Sequence, residues 1–318
     1  MSILILGGNG LVGSAVKRYL SKTNRPFIAA SRQDADLQDF QQTNAFFQKV
    51  SPKVIICAAA KVGGMYANKI YPVEFLLDNL VLQNNVFKSA YLNQVKKLVF
   101  LGSSCIYPVN ASQPISESAL LTGPLEKTNE AYAIAKIAGV KLVQAYRDEY
   151  KTNWISVMPT NLYGPGDNYD LQNSHVLAAF VRKFYEAVAN NLKSIELWGT
   201  GDPRREFMHI DDFACALVHV LDNYEDREPI NIGTGKDISI RELAKIMTEI
   251  SGYAGEISWN TTIPDGTYRK LLDTDKLTNL GWTPKIDFIS GLKDTYNWYT
   301  QNHMKSRQNV SIKTEDFS

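Results

Sequence analysis

Three cysteines are too few and too scattered to hold a fold together. Cys57, Cys105 and Cys215 make no even framework and no metal-ligand spacing, which excludes a disulfide-built secreted scaffold and indicates free thiols in a reducing compartment. The four histidines add no metal motif, so no metal centre is expected. No apolar run approaches the roughly 20 residues of a spanning helix. The first such run, Ile3 to Leu6, lacks a basic leader and enters a glycine turn, so it reads as a strand and not as a signal peptide. An excess of one charge is also missing: 34 Lys and Arg against 33 Asp and Glu leave +1, which sets aside nucleic acid and acidic membranes as partners. Repeats and low-complexity tracts are absent. The expectation is a cytoplasmic globular protein, with 318 residues enough for two domains or one large α/β unit.

What is present begins at the first strand. Ile3 to Leu6 runs into Gly7-Gly8-Asn9-Gly10-Leu11-Val12-Gly13 and then a helix of about ten residues. Gly8, Gly10 and Gly13 fit one dinucleotide spacing, and Gly7, Gly10 and Gly13 fit another. Either lets backbone N–H groups at a helix N-terminus approach a pyrophosphate. The second strand, Phe27 to Ala30, ends in Ser31-Arg32 where NAD recognition calls for a carboxylate. A hydroxyl and a guanidinium suit a 2′-phosphate, so NADP is the expected cofactor and Arg32 its specificity residue.

Val54 to Cys57 and Lys97 to Leu101 read as further buried strands, separated by a helical pattern over Val73 to Leu92. The fourth strand opens into Gly102-Ser103-Ser104-Cys105, at the carboxyl end where open α/β sheets bind ligands. A helix over Asn129 to Tyr150 and a strand over Trp154 to Met158 follow, leading into Pro159-Thr160-Asn161-Leu162. This alternation predicts a doubly wound parallel sheet. Beyond it the rhythm breaks into loops around one helix, His175 to Asn190, a returning strand, Pro229 to Ile232, and an amphipathic helix, Ile240 to Ser251. The expected division is a dinucleotide-binding domain over 1–165, rejoined by about 205–235, a smaller interleaved α/β substrate-binding lobe over 166–302, and a polar tail over 303–318.

Tyr132 and Lys136 stand four apart on the predicted helix, one turn apart on one face. A phenol near pKa ~10 donates poorly at neutral pH, and a neighbouring ammonium that lowers it makes an acid/base of it. With Ser103 after the fourth strand they form a Ser-Tyr-Lys set on a dinucleotide fold, able to hydrogen-bond an oxygen on the carbon that exchanges hydride.

That combination resembles the extended short-chain dehydrogenase/reductase family, over Ile3 to about Asn302, and implies a Rossmann-type fold. Within the family the chain looks most like members that epimerise GDP-4-keto-6-deoxy-D-mannose at C3 and C5 and reduce C4 with NADPH to GDP-L-fucose. The stretches that carry this are Gly102 to Pro108, Tyr132 to Gly139, Met158 to Pro165, Asn173-Ser174-His175, Arg205-Glu206-Phe207 and Pro264 to Lys270. The resemblance implies that Cys105 and His175 are the epimerising acid/base pair and Tyr132 the proton donor, and that Lys136 holds the nicotinamide ribose. It assigns Leu101, Gly102, Ser103, Ser104, Pro159, Thr160, Asn161, Leu162 and His175 to the nicotinamide end of NADP. It assigns Lys183, Trp198, Arg205, Asp265 and Lys270 to GDP, and a homodimer formed by the helices over Val73 to Leu92 and Asn129 to Tyr150. The chain departs from the pattern at position 9, Asn in place of a basic residue, and at position 183, Lys in place of Arg. Other readings are a nucleotide-sugar 4-epimerase that retains NAD, a 4,6-dehydratase, or a non-catalytic NADP-binding regulator. Cys105 weighs against the first two, and the intact Tyr132 and Lys136 against the third.

Overall fold

The computed structural model describes residues 2–171 and 173–305. Short runs of Ile, Leu, Val and Phe between glycine and proline turns become strands; those inside the sheet are buried on both faces, while the edge strand Phe27–Ala30 leaves Ile28 exposed. In chain order, β1 (Ile3–Leu6) leads to α1 (Leu11–Lys22), β2 (Phe27–Ala30) to α2 (Phe40–Val50), and β3 (Val54–Cys57) to the short α3 (Met65–Ile70) and the long α4 (Pro72–Leu92). β4 (Lys97–Leu101), α5 (Glu130–Tyr150) and β5 (Asn153–Pro159) continue the alternation, followed by β6 (Asn161–Tyr163), α6 (Val176–Ala189), β7 (Ser194–Trp198), β8 (Arg204–His209) and α7 (Ile210–Asn223). The rest is β9 (Ile230–Ile232), β10 (Asp237–Ser239), α8 (Ile240–Ser251), β11 (Glu256–Asn260), β12 (Arg269–Lys270), α9 (Asp275–Asn279) and α10 (Phe288–Asn302).

Six strands make one parallel sheet in the order β2-β1-β3-β4-β5-β9. The chain leaves β1 toward β2 on one side and resumes at β3 on the other, so a crevice opens at the carboxyl ends of β1 and β3. One face of the sheet packs on α1 and α7, through Val16, Leu20, Phe213 and Leu217. The other packs on α4 and α5, through Val86, Phe87, Val140 and Val143. The sheet is thus doubly wound, as expected.

A second core forms where α6, α8 and α10 pack on the remaining strands, around Phe184, Leu197, Leu243, Met247 and Tyr299. There β8 pairs with β6 and β12 in parallel and with β10 antiparallel, while β7 and β11 form a two-stranded ribbon. Ser239 and Glu242 form a capping box at the start of α8, and Gly252 closes its end with φ +72°. Among the described residues no helix is long and apolar enough to cross a membrane. Of the expected polar tail, 303–305 continue α10 as a short turn in which His303 meets the Tyr185 hydroxyl at 3.2 Å; its remainder, 306–318, lies outside the described residues.

Candidate functional site

The glycine turn is tight because backbone crosses backbone there. Gly7 has φ +80°, and the Gly10 N–H donates to its carbonyl at 2.9 Å. A Cβ on Gly13 would fall 2.2 Å from that same carbonyl oxygen, and one on Gly8 would fall 2.8 Å from the Ala29 Cβ. Both glycine spacings therefore carry a steric demand, most severe at Gly7 and Gly13. Gly10 is the N-cap of α1 and no side chain caps the helix, so the first-turn N–H groups face the mouth of the crevice, as a pyrophosphate site needs. Asn9 is exposed and accepts from Lys17 Nζ at 3.5 Å, which brings a cation to the turn at a position that sequence spacing did not single out.

At the end of β2 the arrangement differs from expectation. The Ser31 amide and hydroxyl both donate to the Asp34 carboxylate, at 2.8 and 3.0 Å. Those bonds hold the Asp34 carboxyl below its ordinary pKa. Ser31 is thus occupied, and Arg32, exposed beside it, is the group open to a phosphate.

The carboxyl end of β4 carries the chemistry. The Cys105 N–H donates to Ser103 Oγ at 3.2 Å, capping a 3-10 turn over Ser104–Ile106 that presents the thiol. Across from it, Tyr132 and Lys136 lie on the buried face of α5. Tyr132 is 9% exposed and meets Phe75 edge-on at 6.2 Å. Burial raises the phenol above its ordinary pKa, the Cys105 sulfur adds to that, and the Ser103 hydroxyl opposes it. Here the expectation of a phenol made more acidic by Lys136 is corrected. The Lys136 Nζ lies 5.8 Å from the Tyr132 ring centre and donates to the Leu101 carbonyl at 2.8 Å. Burial itself pushes the ammonium down to about 8. Desolvation, which penalises either charged form, outweighs the neighbour effect.

Two donors meet the Cys105 sulfur. Asn129 Nδ2 stands 3.6 Å away and Lys270 Nζ, from β12, 3.7 Å away. Lys270, expected at a diphosphate, is therefore placed against the thiol. His175 is the N-cap of α6, reached by a loop pressed onto the segment after β3. The Gly64 N–H donates to the Asn173 carbonyl at 2.8 Å, and a Cβ on Gly64 would fall 2.4 Å from the Ser174 oxygen. His175 is exposed on one side, with protein packed around the rest of it. That surrounding, and then the Lys270 ammonium, lower its pKa.

Farther out, Arg205 on β8 donates to the Arg204 carbonyl at 2.8 Å and to the Asp265 carbonyl at 3.4 Å. Burial lowers the guanidinium's pKa, and the charges of Cys105 and Asp265 oppose that. The Asp265 carboxylate is itself engaged, accepting from the Thr200 N–H at 2.8 Å and the Thr200 hydroxyl at 2.7 Å. It fixes the turn after β7. At the near side of that turn Lys183 stands 5.1 Å over the Trp198 ring, and Trp198 is 41% exposed. An indole face beside a cation suits a flat nucleobase near a phosphate.

Thr160 and Asn161 are tied to β8 through the Glu206 carbonyl, at 3.2 and 2.8 Å. Glu206 is fully buried, and its carboxylate accepts from the backbone N–H groups of Thr234, Gly235 and Leu272. This one side chain therefore links β8 to the segment just past Lys270. A surface hollow of about 340 Å³ between α1, α7 and Gly281 to Lys285 touches none of these residues.

Residues 3–233 match the family described as NAD dependent epimerase/dehydratase. The chain belongs to that family. It is 52% identical over 309 residues to a putative GDP-L-fucose synthase 2 of Arabidopsis thaliana, covering 96% of this chain and 94% of that protein. It is 45% identical over 315 residues to the GDP-L-fucose synthase of Escherichia coli strain K12, covering 96% and 98%. Among solved structures it superposes with TM-score 0.89 and 30% identity on a GDP-L-fucose synthetase from Naegleria fowleri bound to NADP, over 96% of each chain. Within this epimerase/dehydratase frame, Lys17 and Asn129 are residues around the site that motif spacing did not reveal, and Glu206 stood in a quoted stretch, Arg205-Glu206-Phe207, without a role. A lone Lys, an Asn before a helix and a Glu within a strand carry no signal until the fold brings their partners near.

Proposed function

We propose that the chain is a GDP-L-fucose synthase. It epimerises GDP-4-keto-6-deoxy-D-mannose at C3 and C5, then reduces the C4 ketone with NADPH. The single observation that carries the reading is the Cys105 thiol, held at 3.6 and 3.7 Å by two hydrogen-bond donors beside the buried Tyr132. A simple ketone reductase needs one proton donor, whereas a thiol and an imidazole that both interact with the Lys270 ammonium support a second, proton-exchanging role. Relatives of that name at 45–52% identity over nearly the whole chain support the assignment.

The geometry accounts for each step. The C4 ketone acidifies the protons on C3 and C5, because the carbanion left behind is an enolate. Cys105 and His175 stand as the pair that removes each proton and returns one to the opposite face. Ser103 and Tyr132 donate hydrogen bonds to the C4 oxygen, where charge develops. NADPH, when bound, supplies the hydride that reduces C4. Tyr132 gives its proton to the resulting alkoxide, and a phenol held above its ordinary pKa is fully protonated for that role. Glycines 7, 10 and 13 bring backbone N–H groups to the cofactor pyrophosphate, and Arg32 meets its 2′-phosphate. Lys136, on the Leu101 carbonyl, is placed to exchange that partner for the nicotinamide ribose. Leu101 to Ser104 and Pro159 to Leu162 line the nicotinamide end. Arg205 and Lys183 take the GDP diphosphate and Trp198 the base, with Asp265 holding their loop.

The working enzyme is a cytoplasmic homodimer, its Rossmann domain over 1–165 with returning segments and its substrate lobe over 166–302. Val73 and Leu77 on α4 and Ile134 on α5 are exposed apolar side chains on adjacent helices, which supports pairing there. The test is NADPH oxidation with GDP-4-keto-6-deoxy-D-mannose, with NADH in parallel. Turnover giving GDP-L-fucose, its loss in Cys105→Ser and a preference for NADPH are expected. No oxidation with either cofactor refutes the synthase reading.

A further inference from the structure

Asn129 is the N-cap of α5, where an Asn side chain ordinarily accepts from a backbone N–H two or three residues on. It makes no such bond. Its amide turns instead to the catalytic cleft, with Nδ2 3.6 Å from Cys105 Sγ. Its Oδ1 is buried with no hydrogen-bond partner among the described residues. A residue that gives up a cap and buries an unpaired oxygen, both unfavourable on their own, is placed for something other than the helix.

The groups that face the sulfur come from three elements. Asn129 at the start of α5 and Lys270 on β12 reach it at 3.6 and 3.7 Å, Tyr132 of α5 packs beside it, and the charge of Arg205 on β8 acts on it. The Tyr132 hydroxyl and the Asn129 amide can each both donate and accept, but the hydroxyl is engaged with Ser103, and of the two it is the amide that reaches the sulfur, at 3.6 Å. A half turn about its Cβ–Cγ bond exchanges Nδ2 for Oδ1. As donor it serves a thiolate, which accepts only; as acceptor it serves the S–H once the sulfur holds a proton. The Oδ1 has no partner to lose in that half turn.

We propose that Asn129 is the positioning residue of Cys105, its amide following the sulfur between thiolate and thiol while Lys270 supplies the fixed positive charge. The proposal rests on the reading of Cys105 as a proton-transfer group. The proton taken from the sugar carbon resides on sulfur, the C–H electron pair enters the enolate, and return of a proton reverses both changes, so no oxidant or reductant is needed.

The test needs no sugar substrate. Alkylation of Cys105 by iodoacetamide is followed peptide by peptide in the intact protein at about pH 7 and about pH 9.5, with Cys57 and Cys215 as references in the same chain. In Asn129→Ala the ratio of the neutral to the alkaline rate at Cys105 should fall about tenfold, with the reference cysteines unmoved. Asn129→Asp separates this role from helix capping. Asp is as good a cap as Asn and its charge favours a helix N-terminus, so a capping role predicts a harmless change. Thiolate support predicts a larger fall than in Asn129→Ala, because a carboxylate then faces the sulfur. An unchanged ratio in Asn129→Ala, or a normal ratio in Asn129→Asp, overturns the proposal. Solvent deuterium uptake into GDP-4-keto-6-deoxy-D-mannose is measured in parallel. Absence of uptake in the wild type would refute the synthase reading while the alkylation ratios still decide the role of Asn129.

Discussion

Replacing Lys136 by Met should stabilise the ligand-free protein at neutral pH while it abolishes reduction. Lys136 is 3% exposed, and burial, opposed by Cys57, lowers its pKa from the usual 10.5 to about 8. A lysine depressed in the folded state binds its proton more weakly there than in the unfolded chain. Between about pH 8 and 10.5 the unfolded state holds more protons, so stability rises with pH, and below about pH 8 the full penalty is present. That penalty is about 3 kcal/mol at pH 7. Met removes it and fits the same slot, but leaves the Leu101 carbonyl without its 2.8 Å donor, a loss of about 1 kcal/mol. The net expectation is a gain of about 2 kcal/mol at pH 7 that shrinks nearly to zero by about pH 9.5. Urea unfolding followed by circular dichroism at the two pH values measures it. Comparing variant with wild type cancels the other groups that titrate in that window. A variant less stable at pH 7, or a gain equal at both pH values, refutes the reasoning. Retention of so unfavourable an ammonium fits a group kept for its ligand and not for the fold.

Gly13→Ala should weaken NADPH binding by more than about tenfold, because its Cβ would lie 2.2 Å from the Gly7 carbonyl and lift α1 off the turn; unchanged affinity in a fluorescence titration would contradict this. Because its surroundings and Lys270 lower the His175 pKa, the imidazole stays neutral as pH falls through the ordinary value of 6.5. Deuterium uptake that depends on His175 should therefore hold its plateau below that pH, and Lys270→Met should move the acid limb upward; an acid limb at or above the ordinary value in the wild type would show the sign to be wrong. The double variant Leu77→Glu, Ile134→Glu should sediment as a folded monomer if α4 and α5 form the dimer face, and a persisting dimer would place the interface elsewhere.

The first half of the fold was legible because strands of a parallel sheet are continuous apolar runs between turn residues. The expected β1, β2, β3 and β4 coincide with the strands found, and the expected returning strand, Pro229 to Ile232, differs from β9 by one residue. α8 was equally plain, its apolar stripe framed by Ser239 and Glu242 at one end and Gly252 at the other. β8, by contrast, reads Arg-Arg-Glu-Phe-Met-His, which no alternation rule marks as a strand. It is one because the Glu206 carboxylate finds three backbone N–H donors from other segments. β12 is two residues long and exists only beside β8. α7 packs against both the sheet and α1 with most of its apolar residues buried.

The candidate site divides the same way, between what spacing conveys and what burial decides. Four residues on a helix place Tyr132 beside Lys136 whatever the surroundings, and the fourth strand places Ser103 and Cys105 at its carboxyl end. Which way each pKa moves depends on how much water remains, and a sequence motif carries no such quantity. The expectation that Lys136 would acidify the phenol treated the pair as if solvated. In the folded chain both groups are desolvated, the ammonium is satisfied by the Leu101 carbonyl, and the phenol becomes a weaker acid. Lys270 shows the complementary limit. It lies 165 positions from Cys105, and only the pairing of β12 with β8 brings it to the sulfur. The one ammonium both contacts the thiol and depresses His175, so the two halves of the proposed acid/base pair are electrostatically linked. A change at position 270 should therefore alter both together, which an assignment of Lys270 to the diphosphate alone does not require.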